Sequence, residues 1–456
     1  MNSPTTEALR DRISGTVITR ADAEYDEARK VYNAMIDRRP LVVVRASGTD
    51  DVRATVNFAR DNGLDLAVRG GAHSVPGFGT CDGGVVLDLS SLRAVDVDPK
   101  QRRARAQGGA TWGDFNDATH EHGLATPGGI ISTTGVGGLT LGGGIGYLNR
   151  AYGLSCDNLV SAQVVTADGE LVTASEQEHP DLFWALRGGG GNFGVVVSFE
   201  FALHPVKEIY GGPMFFELDV AEDLLRFFRE FIVDAPEQLG GFPGFQIAPP
   251  LPFIPEERHG DPLALFVACW AGPVEDGESV LKPLRDLAPT VAELVGPMPY
   301  PALNSAFDAL LPPGLQHYWK ANFVKELSGD AIAAHVENGP KVPALQSTMH
   351  IYPVNGACHR VPAQDTAFAY RDANFATNIV GVWPDPADDE RGKKWVRDYY
   401  ADVAPYSEEG GYVNFMAADD EDRVRANYGG NYDRLVSVKR AYDPHNLFHL
   451  NQNIVP

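Results

Sequence analysis

The sequence predicts a globular α+β protein with two domains that carry different kinds of β-sheet. Its 456 residues exceed the roughly 150 residues of a typical single domain, so two or three compact units are expected. Up to about residue 205, short apolar runs break into glycine loops or lead into helical patterns, which is typical of mixed α/β structure. From Val206 to about Pro405, strand-like runs stand between amphipathic helical patterns. That arrangement favours an antiparallel sheet covered by helices.

The elements of the first half follow from the positions of apolar runs and glycines. Residues 41–45 (LVVVR) form a β-branched run. Residues 47–64 behind it contain Thr-Asp-Asp at their start and apolar residues at helical spacing, so a strand followed by a helix is predicted. Five further runs have the composition of strands: 66–74, 83–92, 103–112, 158–172 and 193–206.

Two helices and three strands are predicted in the second half. The helices are 221–233 and 277–288, because their apolar residues recur at helical spacing. The strands are 263–272, 347–355 and 374–383. The last stretch of the chain ends in a helix closed by Asp443-Pro444, followed by a tail rich in asparagine.

The charge balance and the cysteine content exclude several classes of function. Asp and Glu number 61 against 38 Lys and Arg, so nucleic acid and anionic membranes are not expected partners. The four cysteines form no C-x-x-C pair, and the acidic clusters lack the calcium-loop pattern, so no metal site is expected. The N-terminus has no secretory apolar region and no run approaches 18 apolar residues. A soluble, cytoplasmic protein is therefore expected.

Glycine is concentrated in two segments, 128–146 and 187–194. Such density implies a backbone that adopts positive φ or lets a ligand approach its N–H groups closely, and a nucleotide cofactor is the ligand expected. Tight turns alone remain an alternative explanation. Gly189-x-Gly191-x-x-Gly194 matches the dinucleotide-binding fingerprint, but a strand-like run follows where that fingerprint requires a helix. The match is therefore discounted.

Two residues near these segments are candidates for cofactor chemistry. His73 lies in 69–74 (RGGAHS), where an apolar strand breaks into a loop whose successive N–H groups suit an anion such as a pyrophosphate. From the residues alone, a structural and a functional role for His73 are about equally compatible with this position. Cys156 has by default the character of a small buried hydrophobe, because Asp157 beside it disfavours a thiolate.

Four ordered segments together resemble one known superfamily. They are RGGAHS, TTGVGGLTLGGGIGYLNRAYGLSCDNL, FWALRGGGGNFGVV and YDPHNLFHLNQNI. From about residue 37 onward the chain is similar to the vanillyl-alcohol oxidase / p-cresol methylhydroxylase (PCMH-type) FAD-linked oxidases, in a bacterial-type member of the berberine-bridge-enzyme-like branch. The resemblance implies an N-terminal extension (1–36), a PCMH-type FAD-binding domain (37–205), a substrate domain with an antiparallel sheet flanked by helices (206–405), and a C-terminal segment that returns to the FAD domain (406–456).

The resemblance also assigns residues to the cofactor. His73 matches the histidine joined to the 8α-methyl group of the flavin. Cys156 matches the cysteine that attacks C6 in bicovalent members, although some relatives have serine there. FAD held covalently through both residues is thus implied. The full set of expected cofactor contacts is Arg69, Gly70, Gly71, Ala72, His73, Ser74, Gly135, Gly137, Gly138, Gly142, Gly143, Gly146, Cys156, Asn192, Gly194, Val195, Asn414 and Asn451.

The residues that act on the substrate are the hardest to assign. Relatives often use a tyrosine at the end of a Y-x-N-Y motif near the C-terminus, whereas this chain has Tyr412-Val413-Asn414-Phe415. The first choice for a catalytic base is Tyr352, because the period of two in 347–355 places it on one strand face with His350. The second choice is Tyr412, whose predicted strand parity is opposite to that of Phe415.

Further candidates for the substrate pocket lie on the predicted strands of the inserted domain. Asn378 is the candidate in 374–383, and Tyr318 and Lys320 share a face in 316–323. For each of them, a polar residue on a solvent-facing sheet is the alternative.

The expected function is that of an FAD-dependent oxidase acting on a small molecule. It removes hydride from an alcohol or amine carbon of a medium-sized sugar, aromatic alcohol, alkaloid or secondary metabolite and reduces O₂ to H₂O₂. The alternatives are a dehydrogenase of the same fold with another electron acceptor, and a flavin-binding protein without turnover.

Overall fold

The chain folds into three main β-sheets with helices packed between and outside them. The computed structural model describes residues 6–456, and its mixture of helices and largely antiparallel sheets confirms the predicted α+β class. None of the helices in this described part is both long enough and apolar enough to cross a membrane. The helices are α1 (Thr6–Arg10), α2 (Tyr25–Ala28), α3 (Thr49–Asp61), α4 (Trp112–His120), α5 (Val136–Leu141), α6 (Asn149–Tyr152), α7 (Pro180–Leu186), α8 (Ala221–Asp234), α9 (Gly277–Arg285), α10 (Tyr300–Asn304), α11 (Gly329–Asn338), α12 (Asp389–Val403), α13 (Val424–Tyr428) and α14 (Tyr432–Tyr442).

The first sheet carries the loop that contains His73. Its strands are β1 (Thr16–Thr19), β2 (Val42–Arg45), β3 (Leu66–Arg69) and β4 (Val85–Asp88), in the spatial order β1–β2–β4–β3. β2 and β3 run parallel to β4, and β1 adds an antiparallel edge. Val52, Val56 and Ala59 lie on one face of α3 and are buried against these strands. The chain leaves β3 at Arg69 and enters the glycine loop at that end of the sheet.

The second sheet is antiparallel and lies beside the two glycine-rich segments. Its strands are β5 (Val95–Asp98), β6 (Arg103–Gln107), β8 (Leu159–Val165), β9 (Leu171–Ser175) and β10 (Val195–Ala202), and a separate pair joins β7 (Leu124–Ala125) to β11 (His204–Pro205). Because β10 follows Gly194 directly, the strand predicted after the second glycine segment is confirmed. Val195 and Val197 pack in the same core as the first sheet. The two sheets therefore form one unit around the glycine segments.

The third sheet forms the inserted domain. Its strands are β12 (Glu208–Phe216), β13 (Leu239–Ile247), β14 (Pro262–Trp270), β15 (Ala292–Glu293), β16 (Gly296–Pro299), β17 (Gln316–Val324), β18 (Thr348–Pro353) and β19 (Phe375–Trp383). The spatial order is β15–β12–β14–β13–β18–β19–β17, with β16 paired to β12, and every pairing is antiparallel. The helices predicted at 221–233 and 277–288 are confirmed as α8 and α9, and the strands predicted at 263–272, 347–355 and 374–383 are confirmed as β14, β18 and β19.

The two faces of the third sheet are buried against different partners. Met349 and Ile351 of β18 lie in a core with α8, α11 and α12. Tyr352 of the same strand lies in a separate core with Ile145 and Leu154 of the N-terminal domain. Alternate residues of each strand therefore face the helices or the N-terminal domain.

A buried lysine of the C-terminal segment, paired with an aspartate of the same segment, is hydrogen-bonded to the N-terminal domain. The Lys439 Nζ donates to Asp443 Oδ2 at 2.6 Å and to the backbone oxygens of Asn192 and Phe448 at 2.8 and 2.9 Å. Both charged side chains are completely buried. Lys439 thus links α14 to the second glycine segment, beside which the chain ends.

We expect Lys439→Met to destabilise the protein by about 3–5 kcal/mol, because it leaves the Asp443 carboxylate buried without its cation. Urea unfolding followed by circular dichroism measures the change. The matched control is Arg425→Met, which breaks the exposed pair with Asp433 and should cost at most about 1 kcal/mol. Equal losses of unfolding free energy in the two variants would contradict a stabilising role of the buried Lys439 contacts.

Candidate active site

A cavity of about 350 Å³ lies where the N-terminal domain meets the third sheet. One wall comes from the loop after β3, the two glycine segments and the C-terminal tail. The other wall comes from β13, β17, β18 and β19. Segments far apart in the sequence therefore contribute to a single site. The residues that line these walls include Arg69, His73, Gly138, Gly191, Gln246, His317, Trp319, Thr348, His350, Tyr352, Asn378, Phe415 and Asn451.

The glycine wall fits an extended cofactor that contacts the backbone. A Cβ placed on Gly138 or Gly191 meets no protein atom within 4 Å, and both residues line the cavity. Side chains are thus absent where a bound group needs room. The Asn451 Oδ1 atom beside them is buried without a hydrogen-bond partner, although its Nδ2 donates to the Gly191 oxygen at 3.1 Å. These features match the backbone cradle expected for FAD.

His73 projects from the loop after β3 and is held on several sides. Its ring stacks on Tyr32 at 3.8 Å between centroids, with an interplanar angle of 18°. Its Nε2 lies 3.0 Å from the Thr133 hydroxyl and its Nδ1 lies 3.4 Å from the Thr134 hydroxyl. Burial lowers the pKa of His73 to about 4, so the imidazole is neutral at physiological pH. The preceding residue, Ala72, has a φ of 61°, a left-handed conformation that costs a non-glycine residue of the order of 1 kcal/mol.

The opposite wall carries a hydrogen-bonded pair of side chains on β18. The hydroxyl of Tyr352 lies 2.7 Å from Nδ1 of His350. Burial lowers the pKa of His350 to about 3 and raises the pKa of Tyr352 above its ordinary value. His350 is therefore neutral, and its Nδ1 is hydrogen-bonded to the Tyr352 hydroxyl. Asn378 stands directly opposite His350 in the register of β18 and β19, and its Oδ1 is buried without a partner.

Comparison with known proteins agrees with this geometry. Residues 40–175 match the FAD binding domain family, and residues 411–455 match the berberine and berberine-like family. An FAD-linked oxidoreductase of Dictyostelium discoideum is 32% identical over 452 residues, which cover 98% of this chain and 96% of that protein. The chain belongs to the berberine-like FAD-linked oxidoreductases. The recognition from four sequence segments is thereby confirmed, and the protein is an FAD-dependent enzyme.

Solved structures of this family have the same overall fold. The 6-hydroxy-D-nicotine oxidase of Arthrobacter nicotinovorans is 28% identical with a TM-score of 0.86, covering 97% of this chain and 98% of that one. The glucooligosaccharide oxidase of Acremonium strictum, which carries a 6-S-cysteinyl, 8α-N1-histidyl FAD, is 23% identical with a TM-score of 0.86 and covers 100% and 99%. At 23% identity, the similarity to the glucooligosaccharide oxidase is evidence for the fold alone.

Several residues expected at the cofactor of this berberine-like enzyme lie away from the cavity. A Cβ on Gly142 would meet the Asn414 side chain at 2.2 Å, one on Gly143 would meet Phe368 at 2.8 Å, and one on Gly146 would lie 1.7 Å from the Gly128 oxygen. These three glycines serve contacts within the protein. Asn192 and Val195 are also off the wall, because the first binds the C-terminal tail through Gln452 and Ile454 and the second is core. The other expected contacts, apart from Cys156, line the cavity: Arg69, Gly70, Gly71, Ala72, His73, Ser74, Gly135, Gly137, Gly138, Gly194, Asn414 and Asn451.

Cys156 is not among the residues that line the cavity. The residue is fully buried in the core between the two domains, and its Sγ donates to the Asp157 carboxylate at 3.7 Å. Burial, together with that carboxylate, raises the pKa of Cys156 well above its ordinary value. A thiol is nucleophilic only as the thiolate. Position and protonation state both oppose the predicted bond from Cys156 to the flavin.

Tyr412 is likewise placed behind the cavity wall. Its hydroxyl accepts from the Gly144 backbone N–H at 2.8 Å and from Asn414 Nδ2 at 2.7 Å. It therefore fixes the first glycine segment from outside the cavity. Residues Val413–Phe415 form a 3₁₀ turn, so the predicted strand parity at 412–416 is wrong. Phe415 does face the cavity, between Trp319 and Tyr352.

The wall residues that the sequence candidates missed include His317, Trp319 and Tyr32. His317 and Trp319 line the cavity from β17, whereas Tyr318 and Lys320 face the other side and bind Asp419. The alternation of side chains along β17 puts His317 and Trp319 together on one face, but the candidates predicted from the sequence, Tyr318 and Lys320, lie on the opposite face. Tyr32 stacks on His73 from the segment predicted as an extension, and no local pattern marks it.

We expect Gly138→Val to lower FAD incorporation by ~10-fold, because the new side chain occupies cofactor space at an overpacking cost of about 1–3 kcal/mol. The flavin-to-protein absorbance ratio after gel filtration measures incorporation. Gly296→Val is the matched control, since Gly296 also has no protein atom near an added Cβ but lies away from the cavity. A lower melting temperature of the flavin-free Gly138→Val protein, together with a normal FAD content of the loaded protein, would instead indicate that Gly138 has a structural role.

Proposed function

We propose that this enzyme uses FAD to oxidise an alcohol or amine carbon of a medium-sized organic molecule and passes the electrons to O₂, which leaves as H₂O₂. The observation that carries the proposal is the cavity itself. On one side a glycine wall leaves room for the cofactor, and on the other the hydrogen-bonded Tyr352–His350 pair faces the same space. Bound FAD supplies a hydride acceptor and a route for the electrons to oxygen.

The protein's contribution in this proposal is to take the substrate proton. A substrate hydroxyl donates to the oxygen of Tyr352, and Tyr352 in turn donates to Nδ1 of His350. Because burial raises the pKa of the phenol and lowers that of the imidazole, neither residue is charged before the reaction. The proton therefore moves along the pair only as hydride leaves the substrate carbon. The amide of Asn378, opposite His350, orients the hydroxyl.

His73 alone is proposed as the covalent attachment point. Its ring lines the cavity, is neutral, and is fixed by Tyr32 and two threonine hydroxyls. Such an orientation suits one nitrogen for bonding to the flavin. None of the four cysteines, which all lie within the described residues, lines the cavity, so no second link is proposed.

Anaerobic mixing followed by admission of air tests the reaction class. A true substrate should bleach the flavin absorbance without oxygen, and air should restore the colour with release of one peroxide per flavin. Bleaching that air does not reverse, but a quinone does, would replace the oxidase with a dehydrogenase. No bleaching by any alcohol or amine in a broad panel would overturn the proposal.

The role of Tyr352 is testable by removing one hydroxyl. Tyr352→Phe should lower the rate of anaerobic flavin reduction by roughly 10²-fold or more, at the lower end of general-base effects, with FAD content unchanged. Stopped-flow absorbance measures that rate. Tyr300→Phe is the control, because the Tyr300 hydroxyl is buried without a partner and lies off the cavity wall. A Tyr352→Phe rate within a few-fold of the parent would remove this residue from the mechanism.

The single attachment is testable by denaturation. Acid precipitation of the parent protein and of Cys156→Ser should leave the flavin on the polypeptide, whereas His73→Ala should release all of it. Intact-protein mass spectrometry shows the added mass directly. Flavin that remains attached in His73→Ala, or that leaves the parent on precipitation, would contradict attachment at His73.

A further inference from the structure

We infer that the substrate is an uncharged alcohol, and that the cavity rejects cationic amines and carboxylates. The inference rests on the proposed function, because that function places the substrate in this cavity. It goes further by selecting one charge class from the alcohols and amines that the reaction type permits.

The first observation is the absence of available charge on the cavity wall. Among the described residues that line the cavity, Arg69 is the one with a permanent charge. Its Nη2 donates to Asp88 at 2.8 Å and its Nη1 donates to the Lys30 oxygen at 3.0 Å, so the guanidinium is already neutralised within the protein. The three histidines of the wall have pKa values lowered to about 3 or 4 by burial. A charged group on the substrate therefore meets no free opposite charge among the side chains of the wall.

The carboxylate near the wall is also engaged. Asp308 lies on the turn between the wall residues Phe307 and Leu310. Its Oδ1 accepts from the Ser132 backbone N–H at 3.1 Å, and its Oδ2 accepts from the Ser132 hydroxyl. Asp308 is absent from the residues that line the cavity. An ammonium group in the cavity would therefore need to break this contact to find a counter-ion.

The second observation is a set of neutral polar atoms without protein partners. Asn378 Oδ1, Trp319 Nε1 and both ring nitrogens of His317 are buried and make no hydrogen bond within the protein, and all three residues line the cavity. Buried polar atoms are normally paired. These atoms match hydroxyl groups, which both donate and accept. An ion would exchange full hydration for such neutral contacts, which is unfavourable.

Aromatic rings complete this part of the wall. Phe415 lies 6.1 Å from Trp319 and 5.8 Å from Tyr352 between ring centroids. His350 also packs on Phe242 at 4.4 Å. Rings beside neutral polar atoms suit a molecule with an apolar ring and hydroxyl groups.

The negative net charge of the whole protein favours cationic ligands, but it does not determine which ligand binds in the cavity. The formal net charge is −23, which attracts cations to the surface. Surface charges are screened over about 8 Å at physiological ionic strength, whereas a group inside the cavity responds mainly to its immediate contacts. Local desolvation therefore outweighs the general attraction.

The test uses the flavin-loaded enzyme and matched ligands that differ only in charge. Aryl and cyclohexyl carbinols are each compared with the corresponding amine and carboxylate. The dissociation constant comes from the anaerobic perturbation of the flavin absorbance for ligands that do not reduce the flavin, and from the concentration dependence of the stopped-flow reduction rate for those that do. We expect the carbinols to bind at least ~10-fold more tightly than both charged counterparts. The inference is overturned if no carbinol binds better than its charged counterparts, including the case in which no ligand binds.

A charge placed on the wall provides the decisive variant. Asn378→Asp should improve amine binding relative to carbinol binding by on the order of 10-fold. Asn378→Leu, which removes the amide without adding charge, should weaken the carbinol and give no gain for the amine. An unchanged preference in Asn378→Asp, with FAD content normal, would overturn the inference. Failure of the parent enzyme to bind FAD would instead overturn the proposed function. Failure of the inference and failure of the proposed function are therefore distinguishable.

Discussion

Close backbone contact between Gly71 and Gly135 is the constraint on which the rest of the site depends. A Cβ on Gly71 would lie 2.3 Å from the Gly135 nitrogen, and one on Gly135 would lie 2.5 Å from the Gly71 nitrogen. No side chain fits in either place. The contact brings the loop after β3 against the start of α5, so His73 reaches the hydroxyls of Thr133 and Thr134. The glycine wall and the attachment candidate are therefore consequences of one packing requirement.

The opposite wall has a different origin, which is the two-sided burial of the third sheet. One face of each strand must be apolar to pack on the helices, and the other face is divided between a core and the cavity. At β18 this alternation places Met349 and Ile351 on the helical side and His350 and Tyr352 on the cavity side. The same rule on β17 places His317 and Trp319 at the cavity. The polar cluster is thus a property of strand register rather than of any local motif.

Sequence patterns predicted those parts of the site that short-range rules control. The period of two in 347–355 was sufficient to pair Tyr352 with His350, and glycine density was sufficient to identify two segments that line the cavity. Cys156 and Tyr412 were predicted at the site, but neither lines the cavity. Which residues are covered depends on segments distant in the sequence, and no local pattern indicates which segments these are. The same limit applies to Tyr32, which stacks on His73 from a remote segment, and to His317, which packs on Tyr32. The single side chain of Asn33, bonded to both Val75 and His317, fixes that approach.

The unpaired polar atoms of the cavity imply that folding and ligand binding are energetically linked. Asn451 Oδ1 and Asn378 Oδ1 make no hydrogen bond within the protein, and both residues line the cavity. A ligand group that pairs with such an atom replaces the water that otherwise solvates it. A ligand that satisfies these atoms binds the folded state alone and so stabilises it by mass action. The cofactor and the substrate therefore stabilise the folded site, and part of that stabilisation offsets the left-handed conformation of Ala72 beside His73.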